Sequence, residues 1–154
     1  KPAIMKLTVS KLNNFLLFKL PSAFFCGVRV KEIDVNKCVV SVKHRWINQN
    51  PFNSMYFAVQ AMAAELSTGA LVMFQIAKSG RKISMLVANN KGNFTKKATG
   101  RITFTCNDGH LIEKAILETI ATGEGQTFWM KSIGTNETGI QVSEMDFEWS
   151  VRVK

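Results

Sequence analysis

The sequence predicts an α+β fold in which a long, curved antiparallel sheet wraps around one central apolar helix. Three observations lead to this fold class. Residues 50–69, NPFNSMYFAVQAMAAELSTG, contain a helical segment that is apolar on nearly all sides, so most of its surface must be buried. A period-two hairpin precedes this segment, and several alternating segments follow it. An antiparallel sheet can cover such a helix only by curling around it.

The first predicted element is an amphipathic docking helix over about residues 5–20. Polar residues interrupt its apolar run, which is far shorter than the ~20 residues that a membrane span requires. We therefore expect no stable insertion into a membrane. Docking of a basic protein on a membrane surface through this helix stays open as an alternative. The apolar residues at helical spacing are Leu12, Phe15, Leu16 and Leu20.

The next segments predict a hairpin and then the central helix. Residues 24–46 alternate in period two after Pro21, with a turn around Asp34 to Lys37. Asn53 or Ser54 is expected to cap the helix, because their side-chain oxygens can accept from free amides of the first turn. The helix is expected to end near Gly69. Residues 70–78 fit either a continued helix or a strand.

The second half of the chain predicts strands with one short helix between them. Residues 82–90 are expected to form a buried strand with a bulge or bend at 90–92. Residues 101–106 alternate cleanly, and residues 110–123 have the apolar spacing of an amphipathic helix. Segments 127–134 and 139–154 are expected to close the chain as a hairpin. Without a linker or repeat, residues 1–154 are predicted to form a single domain.

Composition restricts the kinds of partner. The net charge of +9 and the pI of about 9.7 attract anions. The basic residues are scattered and do not alternate with aromatic residues, so a small anionic ligand or plain solubility fits better than a nucleic acid. The three cysteines form no CxxC pair, and neither histidine has ligand-like spacing with them, which argues against a zinc site. A reduced, cytoplasmic compartment is expected.

Glu65 is a carboxylate set deep inside the apolar run. On a helical wheel it lies within about 40° of Ser54, Ala58 and Ala61, so it shares a stripe with small residues that leave space beside it. Burial is expected to raise the pKa of Glu65, which suits a general base. Two alternatives stay open: Glu65 lies partly solvated at the helix end, or it pairs with a basic side chain.

The central helix resembles that of hotdog-fold thioesterases, whose motif reads N-x-x-G-x-x-H-G-G-x-x-x-x-L-x-D/E. Asn50 matches the leading Asn, Asn53 the first Gly, and Glu65 the catalytic acid. By this match Asn50, Asn53 and Tyr56 are implied to take part in substrate binding. Residues 56–58, Tyr-Phe-Ala, replace His-Gly-Gly. The segment 94–106, FTKKATGRITFTC, is similar to the F-x-x-P-A-x-G strand entry of the family, with Lys97 where Pro is usual. The similarity is greatest to a thioesterase-like branch known only as a domain of unknown function.

This resemblance implies a hotdog fold and a homodimer, or a dimer of dimers, with composite sites at the interface. The implied substrates are thioesters of coenzyme A or of acyl-carrier protein, with no cofactor. Glu65 is implied to activate water or to attack the carbonyl itself. Backbone amides of Phe57 or Ala58 are implied to polarise that carbonyl, while the small residues, including Ala61, admit the acyl or pantetheine arm. Candidates for coenzyme A phosphates are Lys96, Lys97 and Arg101.

The departures from the motif leave a second function open. Replacing the Gly pair puts Cβ atoms where the thioester approaches, and Phe57 is the larger change. Tyr56 can donate a hydrogen bond in place of the His. The chain is therefore predicted to be either a thioester hydrolase or a non-catalytic protein that binds acyl thioesters or fatty acyl groups on the same fold.

Overall fold

The structure, a computed structural model, describes residues 6–154. One six-stranded antiparallel sheet packs against a long central helix. The fold is the hotdog arrangement that the sequence predicts. The elements in chain order are α1 (Val9–Lys19), α2 (Pro21–Phe25), β1 (Arg29–Ile33), β2 (Cys38–Lys43), α3 (Phe57–Ser79), β3 (Ile83–Phe94), β4 (Arg101–Cys106), α4 (Gly109–Thr122), β5 (Gln126–Thr135) and β6 (Gln141–Val153). The strand order in the sheet is β1-β2-β4-β5-β6-β3.

The central helix α3 is longer than predicted. It continues through residues 70–78 and ends at Gly80, which takes the left-handed conformation with φ of 67°. Gly69 is therefore not its end. A Cβ at Gly69 would lie 2.9 Å from Cζ2 of Trp149, so the glycine is needed for the helix to approach β6 closely. By length and composition α3 could cross a membrane, but in this fold it is a largely buried core helix.

The start of α3 also differs from the prediction. Tyr56 is the N-cap residue, and its side chain makes no capping hydrogen bond. Ser54 lies before the helix, where its backbone and hydroxyl both bind the side chain of Asn50. Asn53 has a φ of 57°, the left-handed region where the resembling motif has a glycine. These residues build a loop that leads into the helix, so neither Asn53 nor Ser54 is free to cap it.

The N-terminal helix is shorter than predicted, and a second helix follows it. α1 is capped by Thr8, and its inward side buries Leu12 and Leu16. The first residue of the predicted span, residue 5, lies outside the described residues. Pro21 begins α2 rather than the period-two pattern, because proline at the first position suits a helix start. The side chain of Asn13 ties α1 to β1 through both backbone groups of Val30, at 2.9 and 3.0 Å.

β3 forms an edge of the sheet and is longer than predicted. It pairs with β6 on one side, and within residues 6–154 no strand pairs with its other side. The prediction of a buried strand was wrong, since most residues of β3 are exposed and Leu86 is 67% exposed. Its irregularity falls between Val87 and Asn89, earlier than the predicted bend at residues 90–92. The exposed edge is therefore a surface that a second strand could extend.

The remaining elements agree with the prediction to within a few residues. β1 and β2 form the predicted hairpin, and β5 and β6 close the chain around a turn in which Gly139 has a φ of 80°. α4 packs on α3, β5 and β6 and closes one end of the core. The largest fully buried side chains of the sheet and of α4 include Phe104, Ile102, Ile112 and Met130.

Candidate active site

Glu65 lines a cavity of about 450 Å³. The cavity lies along the N-terminal half of α3, and residues of α2, β3 and β6 also line it. Among the described residues that line it, Glu65 is the only acidic one, and the other walls are mainly apolar. The remaining lining residues are Leu20, Ser22, Ala23, Phe57, Ala58, Ala61, Met62, Val87, Asn90 and Phe147.

The carboxylate of Glu65 is half-buried and makes no hydrogen bond or ion pair with any residue that the structure describes. Loss of water around the charged form raises the pKa of Glu65 to about 7 from an ordinary value of 4.5. Because α3 continues to Ser79, the interpretation of Glu65 as a residue at the helix end was wrong. A carboxylate with this pKa can both accept and return a proton at neutral pH.

The backbone around Glu65 is held rigidly against β6. The hydroxyl of Thr68 donates to the carbonyl oxygen of Glu65 at 2.8 Å. The indole N–H of Trp149 donates to the same hydroxyl at 2.9 Å, and this contact is buried. Together with the close approach at Gly69, this chain of hydrogen bonds fixes the turn that carries the acid. The backbone that carries Glu65 is therefore tied to β6.

The predicted stripe of small residues is partly present. Ala58, Ala61 and Glu65 line the same cavity, and the small side chains leave room beside the acid. Ser54 does not belong to this stripe, because it lies in the loop before α3 and is 4% exposed. The helical-wheel argument failed at Ser54 because it assumed a helix that begins three residues earlier.

The first turn of α3 carries unsatisfied backbone donors. The amides of Phe57 and Ala58 have no hydrogen-bond acceptor among the described residues, as expected for a helix that lacks a side-chain cap. The helix dipole adds partial positive charge at this end. The Phe57 ring packs edge-on against Tyr56 and Phe94, at centroid distances of 5.1 and 6.2 Å. The large side chain is therefore turned toward the end of β3.

A second cavity, of about 540 Å³, lies on the other side of Phe57. Its polar lining includes Asn50, Gln60, Lys96 and Lys97, and no carboxylate takes part. Its aromatic and apolar rim comprises Pro51, Phe52, Met55, Tyr56, Phe57 and Phe94. Two of the three predicted phosphate ligands thus lie together at this cavity.

Arg101, the third predicted phosphate ligand, lies apart from both cavities. It stands on β4 opposite Lys43, and its guanidinium donates to the hydroxyl of Ser41 at 3.2 Å. Its backbone amide donates to the carboxylate of Glu137 at 2.8 Å. These contacts give Arg101 a place in the sheet and leave the two lysines as the basic residues of the cavity.

Sequence reasoning missed several residues that line the Glu65 cavity. Ser22 and Ala23 come from the short helix α2, for which the period-two interpretation left no place, and Leu20 lies directly before that helix. Asn90 reaches the cavity from β3, and a polar residue in a segment expected to be buried was a usable signal. At the second cavity, Gln60 was missed because a glutamine inside an apolar helix belongs to no motif that would identify it.

Comparison with solved structures places this architecture among hotdog thioesterase folds. A Pseudomonas aeruginosa protein of unknown function, described as a probable thioesterase, superposes with a TM-score of 0.81 and 22% identity over 99% of this chain and 100% of that chain. A Chlorobaculum tepidum protein of unknown function superposes with a TM-score of 0.83 and 13% identity over 97% of this chain and 99% of that chain. A Haemophilus influenzae thioesterase superposes with a TM-score of 0.75 and 12% identity over 97% of this chain and 93% of that chain.

The fold and its central helix thus define a hotdog-fold protein similar in structure to thioesterases. Comparison with curated proteins finds no significant match. The family model for the domain of unknown function DUF4442 matches residues 10–151, and the chain belongs to that family.

Proposed function

We propose that this protein hydrolyses acyl thioesters of coenzyme A or of acyl-carrier protein, with Glu65 as general base or nucleophile. The observation that carries the proposal is a half-buried, unpaired carboxylate with a pKa of about 7, which faces an apolar cavity of about 450 Å³. Such a group is matched to proton transfer at neutral pH, and the apolar walls suit an acyl chain. A cytoplasmic location belongs to the same proposal.

As a general base, Glu65 takes a proton from a water molecule while the water oxygen bonds to the carbonyl carbon of the thioester. The carbon–sulfur bond then breaks, and the proton held by Glu65 passes to the departing thiolate. As a nucleophile, the carboxylate attacks the carbonyl carbon itself, and the carbon–sulfur bond breaks to leave a mixed anhydride on Glu65. The departing thiolate takes a proton from water, and a second water then hydrolyses the anhydride to the free acid and restores the carboxylate. In both routes negative charge develops on the carbonyl oxygen, and hydrogen-bond donors must meet it.

The spacing along α3 supports a composite site made by two subunits. Phe57 and Glu65 are eight residues apart, which corresponds to about 12 Å along a helix. The free amides of Phe57 and Ala58 therefore lie too far along the axis to bind the oxygen of a carbonyl that the same chain's Glu65 serves. A homodimer, or a dimer of dimers, brings the helix start of one subunit toward Glu65 of the other. The unpaired edge of β3 offers a surface for such an assembly.

A non-catalytic protein that binds acyl thioesters or fatty acyl groups is the second candidate. Phe57 favours it, because this residue stands where the resembling motif has glycine and its side chain lines both cavities. A bulky residue at the free amides narrows the approach of a carbonyl without closing either cavity. In this function Glu65 orients the ligand and no bond is broken.

The deciding experiment measures hydrolysis of short-, medium- and long-chain acyl-coenzyme A by the wild type and by Glu65→Gln. Glutamine keeps the volume but is not a base, so we expect kcat/KM to fall by about a hundredfold or more. Glu113→Gln on the exposed face of α4 is the matched control and should leave the rate unchanged. If the wild type turns over no chain length, the hydrolase proposal fails and the binding function is favoured.

A further inference from the structure

Gln60 is a buried side chain whose amide oxygen lacks a partner among the described residues. It lies one turn into α3 and is 4% exposed. Its Oε1 is fully buried and has no hydrogen bond within residues 6–154. Buried amide oxygens in folded proteins are nearly always paired, and an unpaired one needs an explanation. Because Gln60 lines the cavity of about 540 Å³ beside the helix start, a rotation of its side-chain amide toward that cavity would let a ligand there supply the missing partner.

Asn50, the other amide at this cavity, is already occupied. Its Nδ2 donates to the hydroxyl of Ser54 at 2.9 Å. Its Oδ1 accepts from the backbone amides of Phe52 and Ser54, at 2.9 and 3.2 Å. The side-chain amide of Asn50 therefore makes its hydrogen bonds within the loop that precedes α3. The side chain that the resemblance suggested for substrate binding holds the cavity wall, and the free amide nearby is that of Gln60.

The remaining chemistry of the cavity restricts the class of ligand. Lys96 and Lys97 are exposed at its rim, and none of the lining residues is acidic, so an anionic group is favoured. Lys97 also donates to the carbonyl of Phe52 at 3.3 Å, which holds this lysine against the loop. Aromatic side chains form the rest of the rim and suit an extended, partly apolar ligand.

We propose that Gln60 binds a secondary amide of the pantetheine arm carried by coenzyme A or acyl-carrier protein, with the phosphate of that arm near Lys96 and Lys97. Glutamine offers an acceptor and a donor, and a secondary amide offers the complementary pair. A free fatty acid has no such amide, so this side chain selects for the thioester carrier. The inference rests on the proposed function, since it places the carrier arm of that substrate beside the helix start.

Gln75 provides an internal comparison on the same helix. It is as buried as Gln60, at 4% exposed, but its Nε2 donates to the carbonyl oxygen of Val35 at 2.8 Å. The amide of Gln75 thus has a partner within the fold, whereas the amide oxygen of Gln60 has none among residues 6–154. Replacing Gln75 should weaken the fold, whereas replacing Gln60 should weaken only ligand binding.

The test is calorimetric titration of coenzyme A and of pantetheine, which lacks the phosphate, into the wild type, Gln60→Leu, Gln60→Met and Gln75→Leu. We expect both Gln60 variants to bind either ligand about tenfold more weakly, with an unchanged or higher Tm. A tenfold change corresponds to about 1.4 kcal/mol. Gln75→Leu should keep the wild-type Kd and show a lower Tm.

Three outcomes overturn the inference: Gln60 variants that bind as the wild type does, a wild type that binds neither ligand, or Gln60 variants that both fail to fold. The last result would assign the amide to the fold instead of to a ligand. Since the readout is binding, the hydrolase proposal is judged separately. A wild type that binds pantetheine through Gln60 but hydrolyses no thioester supports this inference and removes the proposed hydrolysis.

Discussion

The two cavities that meet at Phe57 differ in their charged and polar lining residues. The Glu65 cavity is walled mainly by aliphatic and aromatic side chains from α2, α3, β3 and β6, and its single charged group is partly desolvated. The Gln60 cavity is lined by a loop, the first turn of α3 and the segment after β3, and it carries two lysines and several polar side chains. One cavity suits a hydrocarbon, and the other suits a polar anion.

This difference matches the two halves of an acyl thioester. The acyl chain is apolar, whereas the carrier arm contains amides and a phosphate, so a protein that holds both needs surfaces of both kinds. Burial has a different effect on the key side chain of each cavity. It raises the pKa of Glu65 by removing water from its charged form, and it leaves the amide of Gln60 in need of a partner that the ligand can provide.

A substitution that fills the Glu65 cavity should have the largest effect, and it should act on the acyl chain rather than on the carrier arm. Ala61→Leu adds a branched side chain beside Glu65, and leucine is a good helix former on this half-buried face. We expect kcat/KM for acyl-coenzyme A to fall by about a hundredfold, because the added atoms occupy the volume of the acyl chain. The measurement is steady-state hydrolysis across chain lengths, with the longest chains affected most.

Ala77→Leu is the control for this substitution, since it makes the same change near the end of α3, outside both cavities. It should leave the rate unchanged. Titration of coenzyme A into Ala61→Leu should give the wild-type Kd if the carrier arm occupies the Gln60 cavity. A loss of coenzyme A affinity as large as the loss of rate would show that the two cavities are not used separately.

The pH dependence of stability tests the desolvation of Glu65 directly. Its pKa is raised in the folded state to about 7 from about 4.5, so the folded protein binds the proton more tightly than the unfolded chain does. The contribution of Glu65 to the free energy of unfolding is therefore fully present below about pH 4.5 and is lost as the pH rises through about 7. Glu65→Gln removes this dependence. We expect it to be more stable than the wild type by about 1–3 kcal/mol at pH 8 and nearly equal at pH 4.

Chemical denaturation of both proteins at several pH values measures the difference. A gap that does not change between pH 4 and pH 8 would mean that Glu65 ionises as readily in the fold as in water. Glu113→Gln on α4, where the side chain is exposed, serves as the comparison for buffer effects.

The sequence predicted the architecture because the apolar helix and the alternating strands are local patterns with one common solution. It misplaced features that depend on distant contacts. Gly69 looked like a helix end, and only the Trp149 ring packed against it explains a glycine inside α3. β3 looked buried from its apolar residues, although strand order puts it at the sheet edge. Both outcomes are set by tertiary packing, which no short window of sequence contains.

The candidate site was predicted unevenly for the same reason. Glu65, Ala58 and Ala61 follow from helical periodicity, and they do line one cavity. Asn50 was identified by a motif, but its amide is occupied within its own loop. Gln60 has no motif, and its meaning comes from the absence of a partner within the described fold. Residues that act through periodicity were predictable, whereas those that act through an unfilled hydrogen bond were not.

The smallest expected effect concerns the lysines at the rim of the Gln60 cavity. Lys96→Ala combined with Lys97→Ala should weaken coenzyme A about fivefold at low salt and much less at 0.5 M salt, because exposed charges are screened. Pantetheine, which has no phosphate, should bind the double variant as it binds the wild type. Arg101→Ala serves as the matched control, since that side chain packs on Ser41 away from the cavity. If Arg101→Ala weakens coenzyme A and the double variant does not, the phosphate lies on the β4 side of the sheet and the assignment of the polar cavity to the carrier arm is lost.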